Sequence, residues 1–210
     1  LLLREKDGKY TSLDFREKAP AAATDTMYLD NNGEIIKNLS TRGHLASGVP
    51  GSVAGMAEAH RKYGTLPWKE LIQPAINLAL NGFQLTAKEA SGLNSIQNNL
   101  KKYNTVLPQY LIKDKWNKDD IIYFTELGHT LERIRDQGAD GFYKGKTADY
   151  IVKEMQRGKG LITYEDLAAY QVVWREPVTG YYKKYKITSM PPPSSGGIAL
   201  IQLLKAVEPY

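Results

Sequence analysis

Hydrophobic and polar positions alternate near both ends of the chain. Residues 1–6 and 9–16 are strand-like runs joined by Lys6-Asp7-Gly8-Lys9. An Asp-Gly pair between β-prone runs favours a hairpin with a two-residue loop, in which both turn residues take positive φ. Residues 171–190 also have a period of two and predict two strands turned near Thr179-Gly180. The pattern therefore predicts two hairpins.

Between the hairpins, apolar residues recur three and four positions apart, which is the spacing of amphipathic helices. Six helices are predicted there, and the residues expected to be buried are given in parentheses. The first three are a helix after the glycine-rich loop 40–52 (Val53, Met56, Ala57, His60), helix 68–81 (Leu71, Ala75, Leu78, Ala79) and helix 86–98. The next three are helix 125–137 (Leu127, Leu131, Ile134), helix 147–157 (Ala148, Ile151, Val152, Met155) and a short helix after Thr163. A final helix is predicted over 198–207.

Local signals mark where these helices start and stop. Thr86-Ala87-Lys88-Glu89 has the spacing of a capping box, and Thr163 begins a similar run. A glycine in the left-handed conformation commonly ends a helix, and the glycines expected to do so are Gly64, Gly82, Gly138 and Gly158. Pro74 leaves two alternatives open, because the helix either kinks there or starts there after a short turn.

The order of these elements predicts the fold class. Residues 101–124 are expected to be a loop with a short strand at 121–124. Hairpin, helical middle, hairpin and helix then follow one another, which indicates α+β rather than alternating α/β. We expect residues 1–210 to form a single partial domain, because both ends look cut from a longer protein. Leu1-Leu2-Leu3 resembles a strand already begun, and the first residues lack the pattern of a signal peptide.

Composition narrows the chemistry. The 210 residues are 42% apolar and 24% charged, as in ordinary globular proteins. The net charge of +5 comes from scattered Lys and Arg, so no nucleic-acid surface is predicted. No run reaches the ~18–20 apolar residues that cross a bilayer, so no membrane span is predicted. The absence of cysteine excludes disulfides, thiol nucleophiles and thiolate metal sites.

Two groups of residues suggest chemistry that their spacing does not support. The segment Gly141 to Thr147 approximates a phosphate-binding loop, but it has three residues instead of four before its Gly-Lys pair. We therefore interpret Lys146-Thr147 as a helix start. The histidines His44, His60 and His129 lie far apart and form no metal-binding motif. We expect His60 to be a hydrogen-bonded core residue, and only His44 has a functional interpretation as a loop residue.

The run Ser194-Ser195-Gly196-Gly197 has two interpretations. Its amides and hydroxyls precede a helix, where the positive end of the helix dipole attracts anions. The alternative is a rigid bend at Pro191-Pro192-Pro193, followed by an N-cap serine and by glycines that allow close packing. We favour the alternative.

Arg16 is the strongest candidate for substrate binding. It lies between Asp14 and Glu17, where a strand-like run gives way to small residues. A guanidinium matches a carboxylate with two parallel hydrogen bonds, so Arg16 suits the α-carboxylate of an amino-acid substrate. The alternative is an ion pair with its own acidic neighbours. The residue pattern alone leaves both open.

Several segments resemble the γ-glutamyltransferase family. They occur in the family's order and cover nearly all of the chain. They are 13–20 (LDFREKAP), 44–55 (HLASGVPGSVAG), 63–68 with 73–75 (YGTLPW, QPA), 141–145 (GFYKG), 160–170 (GLITYEDLAAY) and 189–197 (SMPPPSSGG).

The resemblance implies an N-terminal-nucleophile hydrolase with a four-layer αββα sandwich, made as a precursor that cleaves itself into large and small subunits. Its nucleophile is a threonine at the start of the small subunit. It transfers the γ-glutamyl group of a donor such as glutathione to water or an amine through an acyl-enzyme. This chain then matches part of the large subunit, with the small subunit as its partner.

Within 1–210 the resemblance assigns no catalytic residue. Only Arg16 matches a substrate-binding position, as the clamp on the α-carboxylate of the donor. No metal or cofactor is predicted. The family implies a periplasmic or extracellular location. Two alternatives stay open, namely a β-lactam acylase or poly-γ-glutamate depolymerase of the same fold, and a non-enzymatic scaffold or binding domain.

Overall fold

The computed structural model describes residues 1–104 and 106–210. Thr105, in the predicted loop 101–124, lies outside them. The described residues form two compact units. Unit 1 consists of Leu1–Glu17, Pro50–Lys62 and Tyr170–Tyr210, and unit 2 of Lys18–Val49 and Tyr63–Ala169. The single partial domain stays a prediction.

The elements are listed here in chain order. The strands are β1 (Leu2–Arg4), β2 (Tyr10–Asp14), β3 (Phe83–Gln84), β4 (Ile121–Ile122), β5 (Val173–Arg175), β6 (Val178–Tyr182) and β7 (Tyr185–Ser189). The α-helices are α1 (Ser52–Tyr63), α2 (Trp68–Asn81), α3 (Ala87–Tyr103), α4 (Thr125–Gln137), α5 (Asp140–Tyr143), α6 (Gly145–Gly158), α7 (Tyr164–Ala168) and α8 (Gly196–Val207).

Unit 1 contains a three-stranded antiparallel sheet in the order β1-β2-β5. Leu13 on β2 lies opposite Trp174 on β5 and is completely buried. The Ser12 side chain is buried as well, and its hydroxyl donates to the Arg175 carbonyl at 2.9 Å. The central strand β2 therefore pairs with β1 up to Ser12 and with β5 from Ser12 to Asp14, its last residue.

The first hairpin is confirmed, but its turn differs from the prediction. The amide of Glu5 donates to the Lys9 carbonyl, and the amide of Gly8 donates to the Glu5 carbonyl. Of the Asp-Gly pair, only Gly8 has positive φ, at 88°. The Asp7 carboxylate accepts the Lys9 amide at 2.9 Å. This side-chain bond favours a wider loop with one left-handed residue over the two-residue turn.

The second hairpin, β6–β7, is also confirmed, but its turn was misplaced. Thr179 and Gly180 lie inside β6, and the chain reverses at Lys183, where φ is 50°. A glycine occupies the strand because a Cβ at Gly180 would come within 2.6 Å of Ile201 on α8. Trp174, predicted in this hairpin, belongs instead to β5 in the other sheet.

Unit 2 is mainly helical. Helix α2 packs against α4, and α4, α5, α6 and α7 pack in succession. Beside them, β3 and β4 form a two-stranded sheet next to a cluster of Leu85, Ala90, Trp116 and Ile122. In the described part of the chain, no helix combines the length and hydropathy needed to cross a membrane.

Most helix ends follow the local signals. The bounds of α2 and α4 are those predicted, and both capping boxes form, at Thr86 and Thr163. Pro74 lies inside α2, so the alternative in which the helix starts there is wrong. Gly82 and Gly138 end their helices with positive φ, as predicted.

Other bounds differ. Helix α3 continues to 103, α6 begins at 145, and α8 begins at 196. The strand predicted at 121–124 is limited to 121–122, whereas β3 and α5 were not predicted.

The buried faces of three helices were predicted less well than their ends. Met56, Leu71, Leu78 and Leu127 are about half exposed, at 54, 49, 55 and 51%. In α2, Ile76 is buried in place of Leu71 and Leu78, because the helix is apolar on two adjacent faces and packing against α4 selects one. The predicted residues that are buried are Val53, Ala79, Ile134, Ala148 and Val152.

Candidate functional site

A cavity of about 340 Å³ in unit 1 contains Arg16. It brings together two segments singled out in the sequence, the arginine region and the polyproline bend. The residues that line it are Leu1, Leu13, Asp14, Phe15, Arg16, Glu17, Ser52, Met190, Pro191, Pro193 and Ser194. Three other candidates, His44, His129 and Lys146, belong to unit 2 and do not line it.

Of its two acidic neighbours, Asp14 and Glu17, the Arg16 side chain forms an ion pair with Glu17. Its Nε donates to Glu17 Oε1 at 3.2 Å, and both side chains are more than half exposed. The Asp14 carboxylate instead accepts Arg175 Nε at 2.9 Å and is 13% exposed. An exposed pair such as Arg16–Glu17 contributes only ~0–1 kcal/mol. Breaking this contact therefore costs the guanidinium little.

The backbone of Arg16 is held at both of its polar groups. Its amide donates to Asp14 Oδ1 at 3.1 Å. Its carbonyl accepts the Tyr170 hydroxyl at 2.8 Å, across 154 residues of sequence. Position 16 is therefore fixed just beyond the end of β2 by one local and one long-range hydrogen bond.

Gly51, just before α1, and Gly55, within it, let the arginine segment approach closely. A Cβ at Gly51 would lie 1.9 Å from the Tyr170 hydroxyl and 2.2 Å from the Phe15 carbonyl oxygen. A Cβ at Gly55, one helical turn later, would lie 2.1 Å from the Phe15 ring. These glycines explain why the segment 49–55 is rich in small residues, because backbone and ring occupy the space of a side chain.

Glu58 connects α1 to β5, next to Arg175. Its carboxylate accepts Trp174 Nε1 at 2.8 Å and two Arg61 nitrogens at 2.7 and 2.8 Å. Lys62 Nζ lies 4.0 Å from the centre of the Trp174 ring, a cation–π contact. The hydrogen bonds from Arg61 and Trp174 lower the pKa of Glu58 from 4.5 to about 2.

This carboxylate predicts a pH-dependent stability. Because the folded-state pKa lies below the ordinary value, ionised Glu58 stabilises the fold above about pH 4.5, and the stabilisation is lost as pH falls towards about 2. Glu58→Gln is expected to lower the free energy of unfolding by about 1–2 kcal/mol at neutral pH, with the difference shrinking on acidification. Urea denaturation from pH 7 to 3 measures this, with exposed Glu165→Gln as control. A difference independent of pH contradicts it.

The interpretation of 191–197 as a bend with an N-cap serine and closely packed glycines is confirmed in part. A Cβ at Gly197 would lie 2.2 Å from the Met190 carbonyl oxygen, so the close packing expected of these glycines is confirmed there. Ser195 is the N-cap of α8, but its side chain makes no capping hydrogen bond, because its backbone is already helical. The Ser194 hydroxyl accepts the Gly196 amide at 3.4 Å and lines the cavity.

His44 has a structural partner in unit 2. Its Nε2 lies 2.6 Å from Glu154 Oε1, and its ring occupies the space beside Gly158, where a Cβ would come within 2.2 Å. Hydrogen bonds from Arg157 and His44 lower the pKa of Glu154 to about 2. Gly158, predicted to end the helix, is instead its last helical residue, and Lys159 takes the left-handed conformation.

The remaining candidates have local partners. Thr147 is buried, donates to the Gly141 carbonyl and accepts Arg133 Nε, so the interpretation of 146–147 as a helix start is confirmed. His129 pairs with Glu132 at 3.0 Å, and His60 is half-buried on α1. Across 1–104 and 106–210, no three acidic or histidine side chains form a metal site.

Sequence reasoning missed Tyr170, Arg175 and the roles of Gly51 and Gly55. None of them has a local pattern that indicates a contact with residues 14–16. Gly51, Gly55 and Tyr170 do lie in segments that carry the family resemblance, and that was the available signal.

Comparison with known proteins agrees with the resemblance. A family model described as gamma-glutamyltranspeptidase matches residues 1–210. The glutathione hydrolase proenzyme of Escherichia coli strain K12 is 43% identical over 219 residues, covering 100% of this chain and 37% of that protein. The glutathione hydrolase proenzyme of Pseudomonas aeruginosa is 48% identical over 200 residues, covering 94% of this chain and 35% of that protein.

A solved structure has the same fold. The gamma-glutamyltranspeptidase of Helicobacter pylori superposes with a TM-score of 0.93 and 43% identity, covering all of this chain and 61% of that one. The predicted α+β class and the N-terminal-nucleophile hydrolase fold are thereby confirmed. The chain spans only about a third of the length of these curated relatives.

Proposed function

Because the chain belongs to the γ-glutamyltranspeptidase family, we propose that it forms part of an enzyme that transfers or hydrolyses γ-glutamyl groups. The donor is a glutathione-like compound, and the acyl group passes through an enzyme-bound ester to water or an amine. In this enzyme the chain supplies scaffold and one substrate contact.

The observation that carries this proposal is the position of Arg16 in the cavity. Its guanidinium is exposed and paired only weakly with Glu17. The backbone amide and carbonyl of Arg16 are both hydrogen-bonded. This arrangement suits a ligand with a free carboxylate, such as the α-carboxylate of a γ-glutamyl donor. Arg16 binds that group, and the reacting γ-carbonyl lies at the other end of the glutamyl unit.

The nucleophile belongs to a segment outside these 210 residues. Following the family resemblance, it is a threonine freed at the start of a small subunit by self-cleavage of a precursor. Its own α-amino group serves as the base, and backbone amides stabilise the tetrahedral intermediate. The small subunit is then the chain's partner. On the family alone, we also place the enzyme in the periplasm or outside the cell.

The test compares the full-length protein with residues 1–210 expressed alone. The full-length protein is expected to release p-nitroaniline from γ-glutamyl-p-nitroanilide, and the chain alone is expected to release none, because it carries scaffold and clamp but no nucleophile. A full-length protein without this activity favours an acylase or a non-enzymatic scaffold. Turnover by the chain alone contradicts the assignment of the nucleophile.

A further inference from the structure

Arg16 requires support that β2 does not provide. The strand pairing ends at Asp14, opposite Val173, so no ladder hydrogen bond orients the backbone two residues later. The arginine side chain is long, flexible and 58% exposed. A side chain of this kind recognises a carboxylate well only when its fork is preorganised, because otherwise binding must restrict its rotamers.

Tyr170 and Asp14 provide the missing orientation. The Tyr170 hydroxyl donates to the Arg16 carbonyl at 2.8 Å, and the Arg16 amide donates to Asp14 Oδ1 at 3.1 Å. The other carboxylate oxygen of Asp14 accepts Arg175 Nε at 2.9 Å, which anchors Asp14 to β5. Both backbone groups of position 16 are thereby connected to the third segment of unit 1.

The Tyr170 phenol is itself restrained. Its hydroxyl lies where the Cβ of residue 51 would be, and only glycine leaves that space open. Neither Tyr170 nor Arg175 lines the cavity. They are therefore placed to act through Arg16 and not by touching a substrate.

We propose that Tyr170, together with the Asp14–Arg175 pair, is a positioning residue that aims the Arg16 guanidinium at the α-carboxylate of the donor. The inference rests on the proposed function, because it assigns a partner to the same clamp. Its consequence is selective. Loss of the Tyr170 hydroxyl weakens the binding of donors that carry an α-carboxylate and leaves other donors unaffected.

The test is Tyr170→Phe in the full-length protein, which removes the hydroxyl and keeps the ring. For γ-glutamyl-p-nitroanilide, KM is expected to rise about fivefold, the effect of one hydrogen bond, with kcat little changed. For 4-aminobutyryl-p-nitroanilide, which lacks the α-carboxylate, kcat/KM is expected to stay the same. Tyr164→Phe is the matched control, because Tyr164 is exposed and its hydroxyl bonds to Asp149. It is expected to change neither donor.

A second variant separates the two hypotheses. Arg16→Ala is expected to weaken only the γ-glutamyl donor, and adding Tyr170→Phe to it is expected to have no further effect, since both act through one contact. If Arg16→Ala discriminates between the donors but Tyr170→Phe does not, or Tyr170→Phe changes both donors or kcat alone, the positioning role is wrong. If Arg16→Ala does not discriminate, the proposed clamp fails.

Discussion

Arg16→Ala in the full-length protein is expected to lower kcat/KM for γ-glutamyl-p-nitroanilide by about 10- to 150-fold, which corresponds to a charge-assisted hydrogen bond of ~1.5–3 kcal/mol. The loss is expected mainly in KM, because the α-carboxylate is bound in both the ground state and the transition state. The Arg16–Glu17 pair is exposed, so its removal contributes little to stability. Steady-state kinetics of the purified variant measure the effect.

Arg16→Lys is the matched variant for this experiment. It keeps the charge but loses the planar fork, so it is expected to recover only part of the affinity. Kinetics that are unchanged in Arg16→Ala contradict the clamp. A loss of activity that accompanies unfolding is recognised by circular dichroism and does not count as support.

Gly55→Ala is expected to destabilise the protein by about 1–3 kcal/mol, the range found for overpacked cores. The new methyl group would lie 2.1 Å from the Phe15 ring. Phe15 cannot simply retreat, because its carbonyl already lies against Gly51. Since Phe15 precedes Arg16, kcat/KM for γ-glutamyl donors is also expected to fall. Denaturant midpoints and kinetics measure the two effects.

Gly92→Ala is the control for Gly55→Ala. Gly92 lies inside α3, and a Cβ there would meet nothing within 4 Å. Alanine is the better helix former, so this variant is expected to gain about 0.5–1 kcal/mol. Phe15→Leu combined with Gly55→Ala is expected to recover part of the lost stability, because the shorter side chain relieves the clash. Equal effects of Gly55→Ala and Gly92→Ala contradict the close contact.

The helix ends show which features of the fold can be predicted from neighbouring residues alone. The bounds of α2 and α4, both capping boxes and the left-handed glycines Gly82 and Gly138 follow from residues within a few positions of one another. Such contacts form largely independently of the rest of the fold. Where a local signal competed with a tertiary contact, the tertiary contact prevailed. Gly180, predicted in a turn, lies in β6, where a Cβ would come within 2.6 Å of Ile201.

The buried faces show the limit of periodicity. Helix α2 has apolar residues on two adjacent faces, and both fit a helical period. Only the packing against α4 selects Ile76 and exposes Leu71 and Leu78. A hydrophobic pattern indicates that a helix face is suitable for burial, and packing against a neighbouring element determines whether it is buried.

The sequence by itself determined the α+β class and the bounds of α2 and α4, and through the resemblance it singled out Arg16 as the candidate residue for a donor carboxylate. Only the tertiary structure decided what surrounds Arg16. Tyr170 and Arg175 reach its segment from more than 150 residues away, and Gly51 and Gly55 leave the space that the segment occupies. Contacts over such a separation depend on how the chain closes on itself, and this closure leaves no local signal in residue spacing.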